Sequence, residues 1–150
     1  MAREDLKNAA LVHRAAFKRQ WLSFEWLECD FNAFPRFLCF IAQNDNEILG
    51  YITWSHKSVL RPEAVLELEQ LAVLPKYQGK GIDRKLIEGP LPLVKIQLAK
   101  QNAILKHVIV SSPIDNHAQA LYQSTLGAEV EATIENLYSE DDVFMVARNI

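Results

Sequence analysis

The amino-acid sequence predicts an α/β protein in which a mixed β-sheet is flanked by helices. The first observation is residues 66–84, LELEQLAVLPKYQGKGIDR, an alternating apolar strand, a proline-marked turn and two spaced glycines that open a helix. The second is the short apolar run Leu105–Val110, which is typical of a buried strand. Because a helical crossover joins these two strands, we expect them to be parallel. Hairpins elsewhere add antiparallel strands, so the sheet is mixed.

The spacing of apolar residues predicts the other elements in order. The segment Gly89-Pro90-Leu91-Pro92 cannot lie inside an unbroken helix, because proline lacks the N–H donor and clashes with the preceding turn. The turn formers Asn44-Asp45-Asn46 join the two strands of a hairpin. In chain order, the predicted elements are helices Asp5–Gln20 and Ser23–Asp30, strands Arg36–Gln43, Glu47–Ser55 and Ala64–Val73, helices Gly81–Glu88 and Pro92–Gln101, strand Leu105–Val110, helix Asn116–Leu126, and strands Glu129–Leu137 and Val143–Arg148.

Length and composition predict one globular domain over residues 1–150, because 49% of the 150 residues are hydrophobic. The net charge of −3 gives no general attraction to nucleic acid or anionic lipid. No apolar run approaches the ~20 residues of a membrane span, and the start MAREDLKNAA has no signal-peptide character. We therefore expect a cytoplasmic protein in which Cys29 and Cys39 are free thiols, a bridge between them being the alternative.

The two spaced glycines predict a site for a phosphate-bearing ligand. Glycine lets the backbone approach an anion closely, and the first N–H groups of a helix supply donors. The segment is not a P-loop, since no Gly-Lys-Ser/Thr follows, and Asp83 stands where a dinucleotide fingerprint has a small residue. Nearby cations fit a nucleotide's phosphates, although a solvated helix face would explain them too. These cations are Lys76, Lys80, Arg84 and Lys85.

Two blocks of sequence resemble the GCN5-related N-acetyltransferase (GNAT) family. Gln78–Asp83 is similar to the family's Gln/Arg-x-x-Gly-x-Gly/Ala signature and follows a Leu-Ala-Val-x-Pro strand end, Leu71–Pro75. Asn116–Tyr122 is similar to the family's Asn-x-x-Ala-x-x-Leu-Tyr helix, and a glycine turn follows it at Leu126–Ala128. Asp83 departs from the family's glycine or alanine, and Ala128 replaces its usual aromatic residue.

The resemblance implies a splayed sheet that binds acetyl-CoA. In the family, the strands that correspond to Ala64–Val73 and Leu105–Val110 separate, and the pantetheine arm adds its amides to the freed edge, here at the backbone of Leu71 and Val73. The family's first strand is short or missing here, because only Met1–Glu4 precede the first helix. A loop or a second copy of the chain, as in a homodimer, would then cover the exposed sheet edge.

The resemblance also implies which residues bind the cosubstrate and which catalyse transfer. Glu67 falls where some members carry a general base, with Glu69 as the reserve candidate, although the strand face that they share could be merely solvated. Tyr122 matches the tyrosine that protonates the leaving thiolate, and a packed core tyrosine is the alternative. No metal is expected, since the histidines have no ligand spacing. The implied cosubstrate-binding residues are Leu71, Ala72, Val73, Gln78, Gly79, Lys80, Gly81, Ile82, Asp83, Arg84 and Asn116.

The resemblance therefore predicts an N-acetyltransferase that moves acetyl from acetyl-CoA directly to a primary amine. The acceptor is a small amine or a peptide N-terminus; residues 136–145 are similar to the ends of family members that modify protein N-termini. The net acidity favours a cationic acceptor. A non-catalytic acyl-CoA-binding or regulatory module, and an interaction domain without cosubstrate, are the alternatives.

Overall fold

The computed structural model describes residues 1–45, 47–57, 61–114, 117–148 and 150. Asn46 and Asn116, which the sequence places in a turn and at a helix start, lie outside these residues. The elements, labelled in chain order, are α1 (Leu6–Ala16), α2 (Ser23–Asn32), β1 (Phe37–Gln43), β2 (Ile48–His56), β3 (Glu63–Val73), α3 (Ile82–Glu88), α4 (Leu91–Ala99), β4 (Ile104–Pro113), α5 (Ala118–Leu126), β5 (Glu129–Ile134) and β6 (Asp142–Arg148).

The strands form one sheet in the order β1-β2-β3-β4-β6-β5. β3 and β4 are parallel, whereas β1 with β2, β4 with β6 and β5 with β6 are antiparallel. The prediction of an α/β fold with a mixed sheet flanked by helices is confirmed. The predicted parallel pair is confirmed as well, and the break between α3 and α4 falls at Gly89-Pro90, as proline chemistry requires.

Contacts between residues define two compact units. The single domain that the sequence predicts therefore stays a prediction. The first unit comprises Met1–Ser55 and Glu69–Pro92. Its core is built from α1, α2, β2 and the end of β3, because the apolar faces of these elements are turned inward. The fully or almost fully buried members are Leu6, Ala9, Ala10, Val12, Leu27, Ile48, Tyr51 and Ala72.

The second unit comprises His56–Leu68 and Leu93–Ile150. β6 pairs with β4 from His107↔Arg148 to Pro113↔Asp142, and with β5 on its other side. Alternate residues of β4 and β6 are buried, including Val108, Val110 and Met145. β5 is exposed along its whole length, as an edge strand with one solvated face tends to be.

The chain enters α1 without a preceding strand among residues 1–5. A 3₁₀ turn covers Arg3–Asp5, and the amino group of Met1 donates a hydrogen bond to the carbonyl oxygen of Cys39 in β1 at 3.1 Å. Residues 1–5 therefore contribute no strand to the sheet.

α1 ends at Ala16, four residues before the predicted end at Gln20, because a buried histidine organises the turn that follows. The ring of His13 is 1% exposed. Its Nδ1 lies 2.9 Å from Ser23 Oγ and its Nε2 lies 2.9 Å from Gln20 Oε1. Both partners can reach the ring only if the chain leaves the helix and folds back, so α2 begins at Ser23.

Candidate active site

The glycine loop after β3 has the backbone geometry of an anion cradle. Gly79 and Gly81 have φ values of +71° and +75°, in the left-handed region that glycine adopts without a Cβ penalty. A Cβ added at either position would meet no atom within 4 Å, so the space above the loop is open. In the described chain, the backbone N–H groups from Gly79 to Asp83 have no acceptor. Consecutive unpaired donors of this kind bind phosphate oxygens, so the loop fits a pyrophosphate.

The end of β3 and the start of the loop are tied together by two predicted site residues. Gln78 Nε2 donates a hydrogen bond to the carbonyl oxygen of Val73 at 3.2 Å, which closes the turn between strand and loop. The register with β4 runs from Glu63↔Ile104 to Glu67↔Ile109, and β3 itself continues to Val73. Leu71 and Val73 thus lie beyond the residues of β3 that pair with β4, where a pantetheine arm would add its amides.

Gly50 of β2 positions α3 against the strand that carries the loop. A Cβ there would lie 2.6 Å from the carbonyl oxygen of Ala72 and 3.0 Å from Leu86 Cδ1. The absence of a side chain lets the end of β3 and the helix after the glycine loop pack closely. Ala72, predicted to bind the cosubstrate, is 2% exposed and has a packing role.

The turn before the glycines is anchored by Glu47, which the motif analysis did not identify. Glu47 Oε1 accepts hydrogen bonds from Lys76 Nζ at 2.8 Å and from Tyr77 Oη at 2.6 Å. These bonds, that of Lys76 first, hold the pKa of Glu47 below its ordinary value. The ammonium groups of Lys76 and Lys80 lie 5.0 and 5.1 Å from the centre of the Tyr77 ring. Two cations are thereby held beside the cradle. No motif marks Glu47, because its two partners lie 29 and 30 positions away in the chain.

Asp83 and Arg84 begin α3 with a local hydrogen bond. Asp83 Oδ1 accepts from the backbone N–H of Arg84 at 2.8 Å. The guanidinium of Arg84 donates to Glu88 Oε1 at 2.8 Å, one helical turn further on. Asp83, which departs from the family signature, thus occupies the N–H of Arg84. An anion bound at the loop could otherwise accept a hydrogen bond from this group.

The two carboxylates of β3 have different partners. Glu67 Oε2 accepts from Lys57 Nζ at 2.5 Å, and its side chain is 16% exposed. Glu69 is exposed, and its Oε2 accepts from Ser55 Oγ at 2.9 Å. The expected base is therefore held in an ion pair, whereas the reserve candidate is bonded only to a neutral hydroxyl in the described structure.

A third carboxylate, Asp30 of α2, was missed in the sequence. It is 6% exposed, and no group among the described residues bonds its Oδ2. Burial first, and then the negative charge of Glu69, raise the pKa of Asp30 to about 7. A carboxyl with a pKa near neutrality is suited to proton transfer. The sequence offered one signal for this burial, since Asp30 lies on the same face of the helix as Leu27. That signal is weak, because acidic residues are common on helix faces.

Tyr122 lies in α5, where the motif places it, and is 7% exposed. α5 ends at Gly127, with a φ of +65°, and the N–H of Ala128 donates to the carbonyl oxygen of Tyr122. The predicted helix and glycine turn are thus present. Over the described ranges, no group of three histidine, cysteine or acidic residues is arranged to hold a metal ion. No helix in those ranges is both long and apolar enough to span a membrane.

Solved structures of acetyltransferases share this fold. The ribosomal-protein-S18-alanine N-acetyltransferase from Escherichia coli is 24% identical with a TM-score of 0.73, over 99% of this chain and 90% of that one. An aminoglycoside 6'-N-acetyltransferase in complex with coenzyme A is 13% identical with a TM-score of 0.76, over 99% and 93%. Ard1 from Thermoplasma volcanium is 16% identical with a TM-score of 0.74, over 100% and 95%. No curated protein sequence matches the chain.

The sequence profile described as the acetyltransferase (GNAT) family matches residues 8–128, which is most of the chain. The matched span includes the glycine loop, both carboxylates of β3 and the helix that carries Tyr122. The resemblance drawn from the two motifs is therefore confirmed. The chain belongs to the acetyltransferase (GNAT) family, whose members are N-acetyltransferases with acetyl-CoA as cosubstrate.

Proposed function

We propose that the chain transfers the acetyl group of acetyl-CoA to a primary amine, on a small molecule or at a peptide N-terminus. The glycine loop carries this proposal, because its two left-handed glycines and its row of N–H groups without acceptors fit a pyrophosphate. Structural relatives are named for such acceptors, which are the alanine of a ribosomal protein, aminoglycosides and spermidine.

Acetyl-CoA supplies the activated thioester, and the residues of the chain supply binding and proton transfer. In the proposal, the loop N–H groups from Gly79 to Asp83 hold the pyrophosphate, and the N–H of Arg84 joins them only when its bond to Asp83 opens. Lys80 adds positive charge beside them, and the backbone of Leu71 and Val73 holds the pantetheine amides. Asn116 is proposed to contact the same arm, on the motif alone. These contacts fix the position of the thioester before the amine arrives.

Two proton transfers remain for the side chains. The amine must lose a proton to become a nucleophile, and the leaving sulfur must gain one. Glu67 and Glu69 are the candidates for the first transfer; Lys57 competes for Glu67, because it already pairs with that carboxylate. Tyr122 is proposed to donate the second proton from its hydroxyl.

The proposal has a direct test in two steps. Coenzyme A at 100 times its dissociation constant should add about 2.7 kcal/mol of stability, seen as a rise of the melting temperature by several degrees. Thiol release from acetyl-CoA is then followed with spermidine, an aminoglycoside and peptides with free N-termini. Binding with release in one of these reactions supports the proposal, and an unchanged melting temperature contradicts it.

A non-catalytic acyl-CoA-binding module is the second candidate, and the bond of Asp83 to the Arg84 amide favours it. A carboxylate inside the cradle suits weak, reversible binding better than efficient turnover. Binding of coenzyme A without thiol release across the amine panel would select this candidate.

The location and assembly of the protein are also proposed. Cys29 and Cys39 are both free thiols, which fits the reducing cytoplasm. A homodimer is proposed from the edge position of β1. Light scattering of the purified chain tests it, since a monomeric mass would contradict it.

A further inference from the structure

A pocket of about 690 Å³ lies where β2 ends and where β3 and β4 begin. All of its described lining residues belong to the second compact unit, and none of them belongs to the glycine loop. The backbone N–H of Lys57 donates to the carbonyl oxygen of Val65 at 3.0 Å, and Val65 is paired in the sheet with His107. The backbone N–H of Ile104 donates to the carbonyl oxygen of Pro62 at 2.8 Å. These bonds hold three segments of the chain around a space of the size that small-molecule sites have.

The lining of this pocket is rich in positive charge. Its cations are Lys57, Arg61 and Lys106, and Glu63 is the one carboxylate among the described lining residues. Three cations and one carboxylate leave two net positive charges, whereas the chain as a whole carries a net charge of −3. Cations gathered in one concave site repel each other and attract anions. The pocket therefore favours a negatively charged ligand.

The three cations keep hydrogen-bond donors for such a ligand. Lys57 Nζ donates to Glu67 Oε2 at 2.5 Å, which uses one of its three N–H groups. Lys106 Nζ donates to Glu63 Oε2 at 2.7 Å in the same way. Arg61 is exposed, and its guanidinium makes no ion pair with the residues that the structure describes. Its planar fork of N–H groups is thus available to the oxygens of an anion.

The rest of the wall combines two histidines with apolar side chains. His56 lines the pocket and is 4% exposed. His107 lines it as well, and its buried Nδ1 has no hydrogen-bond partner in the described parts of the chain. Buried polar atoms normally have a partner, so this nitrogen has bonding capacity that the protein leaves unused. Pro62 and Val65 add apolar surface. A few convergent polar groups beside apolar side chains are the usual composition of a small-molecule site.

We propose that this pocket binds a phosphate monoester of metabolite size, a function separate from acetyl transfer and independent of it. In this proposal, the phosphate group is held by Arg61, Lys57 and Lys106. The carbon skeleton lies against Pro62 and Val65. A phosphate monoester carries about −1.5 to −2 charges near pH 7, which matches the two net positive charges of the lining. A carboxylate carries a single charge and would leave one cation without compensation.

The first test is calorimetry with AMP as the probe at pH 8, where the phosphate group is a dianion. We expect AMP to bind, with an affinity that falls as salt rises. Adenosine is the same molecule without the phosphate, and acetate is the carboxylate control; neither should bind. Inorganic phosphate separates the free ion from the monoester and should bind more weakly than AMP. Equal affinities for adenosine and AMP, or tighter binding of inorganic phosphate than of AMP, overturn the proposal.

Arg61→Ala should weaken the binding of AMP about tenfold, the effect of one lost charge-assisted hydrogen bond. The variant should fold, because Arg61 is exposed and has no ion pair among the described residues. Lys100→Ala is the matched control, since it removes an exposed cation of the same unit that does not line the pocket. It should keep the wild-type affinity. Unchanged affinity of Arg61→Ala overturns the proposal.

Glu63→Gln should act in the opposite direction and tighten the binding of AMP. It removes the carboxylate of the lining and releases the ammonium of Lys106. Glu131→Gln is matched to it, because Glu131 is also exposed, is also paired with a cation, Arg148, and lies outside the pocket. Both variants change the net charge equally, and only Glu63→Gln should change the affinity. Equal tightening in both would trace the effect to net charge and overturn the site.

The glycine loop is the other place where AMP could bind, and Gly81→Val separates the two. This variant should still bind AMP, although its glycine loop is blocked. Loss of AMP binding in Gly81→Val assigns the phosphate to the loop and overturns the pocket.

NMR of the histidine rings locates the ligand directly. The ring signals of His56 and His107 should shift when AMP is added, whereas those of His13, which is buried in the first unit, should stay in place. Unshifted signals of His56 and His107 at saturating AMP overturn the proposal, and acetyl transfer is untouched by that result.

Discussion

The carboxylate of Asp83 accepts a hydrogen bond from the backbone N–H of Arg84 at 2.8 Å. This bond stabilises the first turn of α3, where a negative charge also interacts well with the helix dipole. It opposes anion binding at the same loop, because it occupies a donor and adds a negative charge. The guanidinium of Arg84 is engaged with Glu88. Helix stability and cosubstrate affinity are therefore in conflict at position 83.

Asp83→Ala should tighten the binding of coenzyme A several-fold. Two like charges about 4 Å apart repel by roughly 1 kcal/mol in water and 4 kcal/mol at an effective dielectric of 20, more than the 0.3–1 kcal/mol of a helix-dipole interaction. Calorimetry at two salt concentrations measures the effect, and the gain should shrink as salt rises. Asp83→Asn keeps a hydrogen-bond acceptor without the charge, so its affinity for coenzyme A should fall between those of the wild-type protein and Asp83→Ala. Weaker binding by Asp83→Ala would mean that Asp83 organises the loop for its ligand.

Gly81→Val should abolish the binding of coenzyme A while the protein stays folded. A valine at a φ of +75° is strained by about 1–2 kcal/mol, and its side chain would fill the open space above the loop. Gly127→Val is the matched control, because Gly127 has a φ of +65° and equally open surroundings. Both variants should lose similar stability in urea, and only Gly81→Val should lose binding. Normal affinity of Gly81→Val would remove the cradle from this loop.

The sequence specified most of the fold because the signals there were local. Helical and strand periodicity, the proline pair near Gly89 and the glycines of the loop each act through their own backbone. The strand predicted for Glu129–Leu137 ends at Ile134 instead, since Asn136 adopts a φ of +48° and leaves the extended conformation. The end of α1 was also missed, because the His13 network depends on residues that follow the helix.

The site was predictable only where a motif marks it. The loop residues follow each other in sequence, so their spacing alone indicated an anion site. The pairing of Glu67 with Lys57 and the anchoring of Tyr77 by Glu47 join residues that are 10 and 30 positions apart in the chain. The burial of Asp30 depends on how α2 packs. No spacing rule encodes such contacts, because they arise from strand register and helix packing.

Tyr122→Phe should lower kcat without changing the affinity for acetyl-CoA. The variant keeps the buried ring and removes only the hydroxyl, whose proposed role, protonation of the leaving thiolate, exists only in the transition state. Loss of a general acid costs about 10²–10⁴-fold. Steady-state thiol release measures kcat, and calorimetry with coenzyme A is the control. Unchanged turnover would exclude Tyr122 as the acid.

Acid should destabilise the protein through His13. Because Gln20 presents a carbonyl oxygen, Nε2 carries the proton and Nδ1 accepts from Ser23. Burial lowers the pKa of His13 below 6.5, and the bond to Gln20 opposes this only partly. A lowered folded pKa contributes stability that is present above pH 6.5 and is lost as pH falls through the folded value. Urea unfolding from pH 7.5 to 5 should show this loss as a difference between the wild-type protein and His13→Gln, because the opposite contribution of Asp30 is the same in both proteins. An equal slope in both proteins would contradict the assignment.

The contribution of Asp30 to the free energy of unfolding should depend on pH in the opposite direction, and Asp30→Asn should remove this dependence. The folded pKa of Asp30 is raised from 3.8 to about 7, so its contribution is fully present below pH 3.8 and is lost as pH rises through 7. In full, such a rise corresponds to about 4 kcal/mol. Asparagine carries no charge, so the variant should gain at least about 2 kcal/mol over the wild-type protein between pH 5 and pH 8. Comparing the two pH values cancels the cost of burying the amide, because that cost does not depend on pH. Glu25→Gln, an exposed change on the same helix, should give no such gain. If Asp30→Asn gains nothing between pH 5 and pH 8, the folded pKa of Asp30 is not raised, and burial of its carboxyl does not disfavour the charged form.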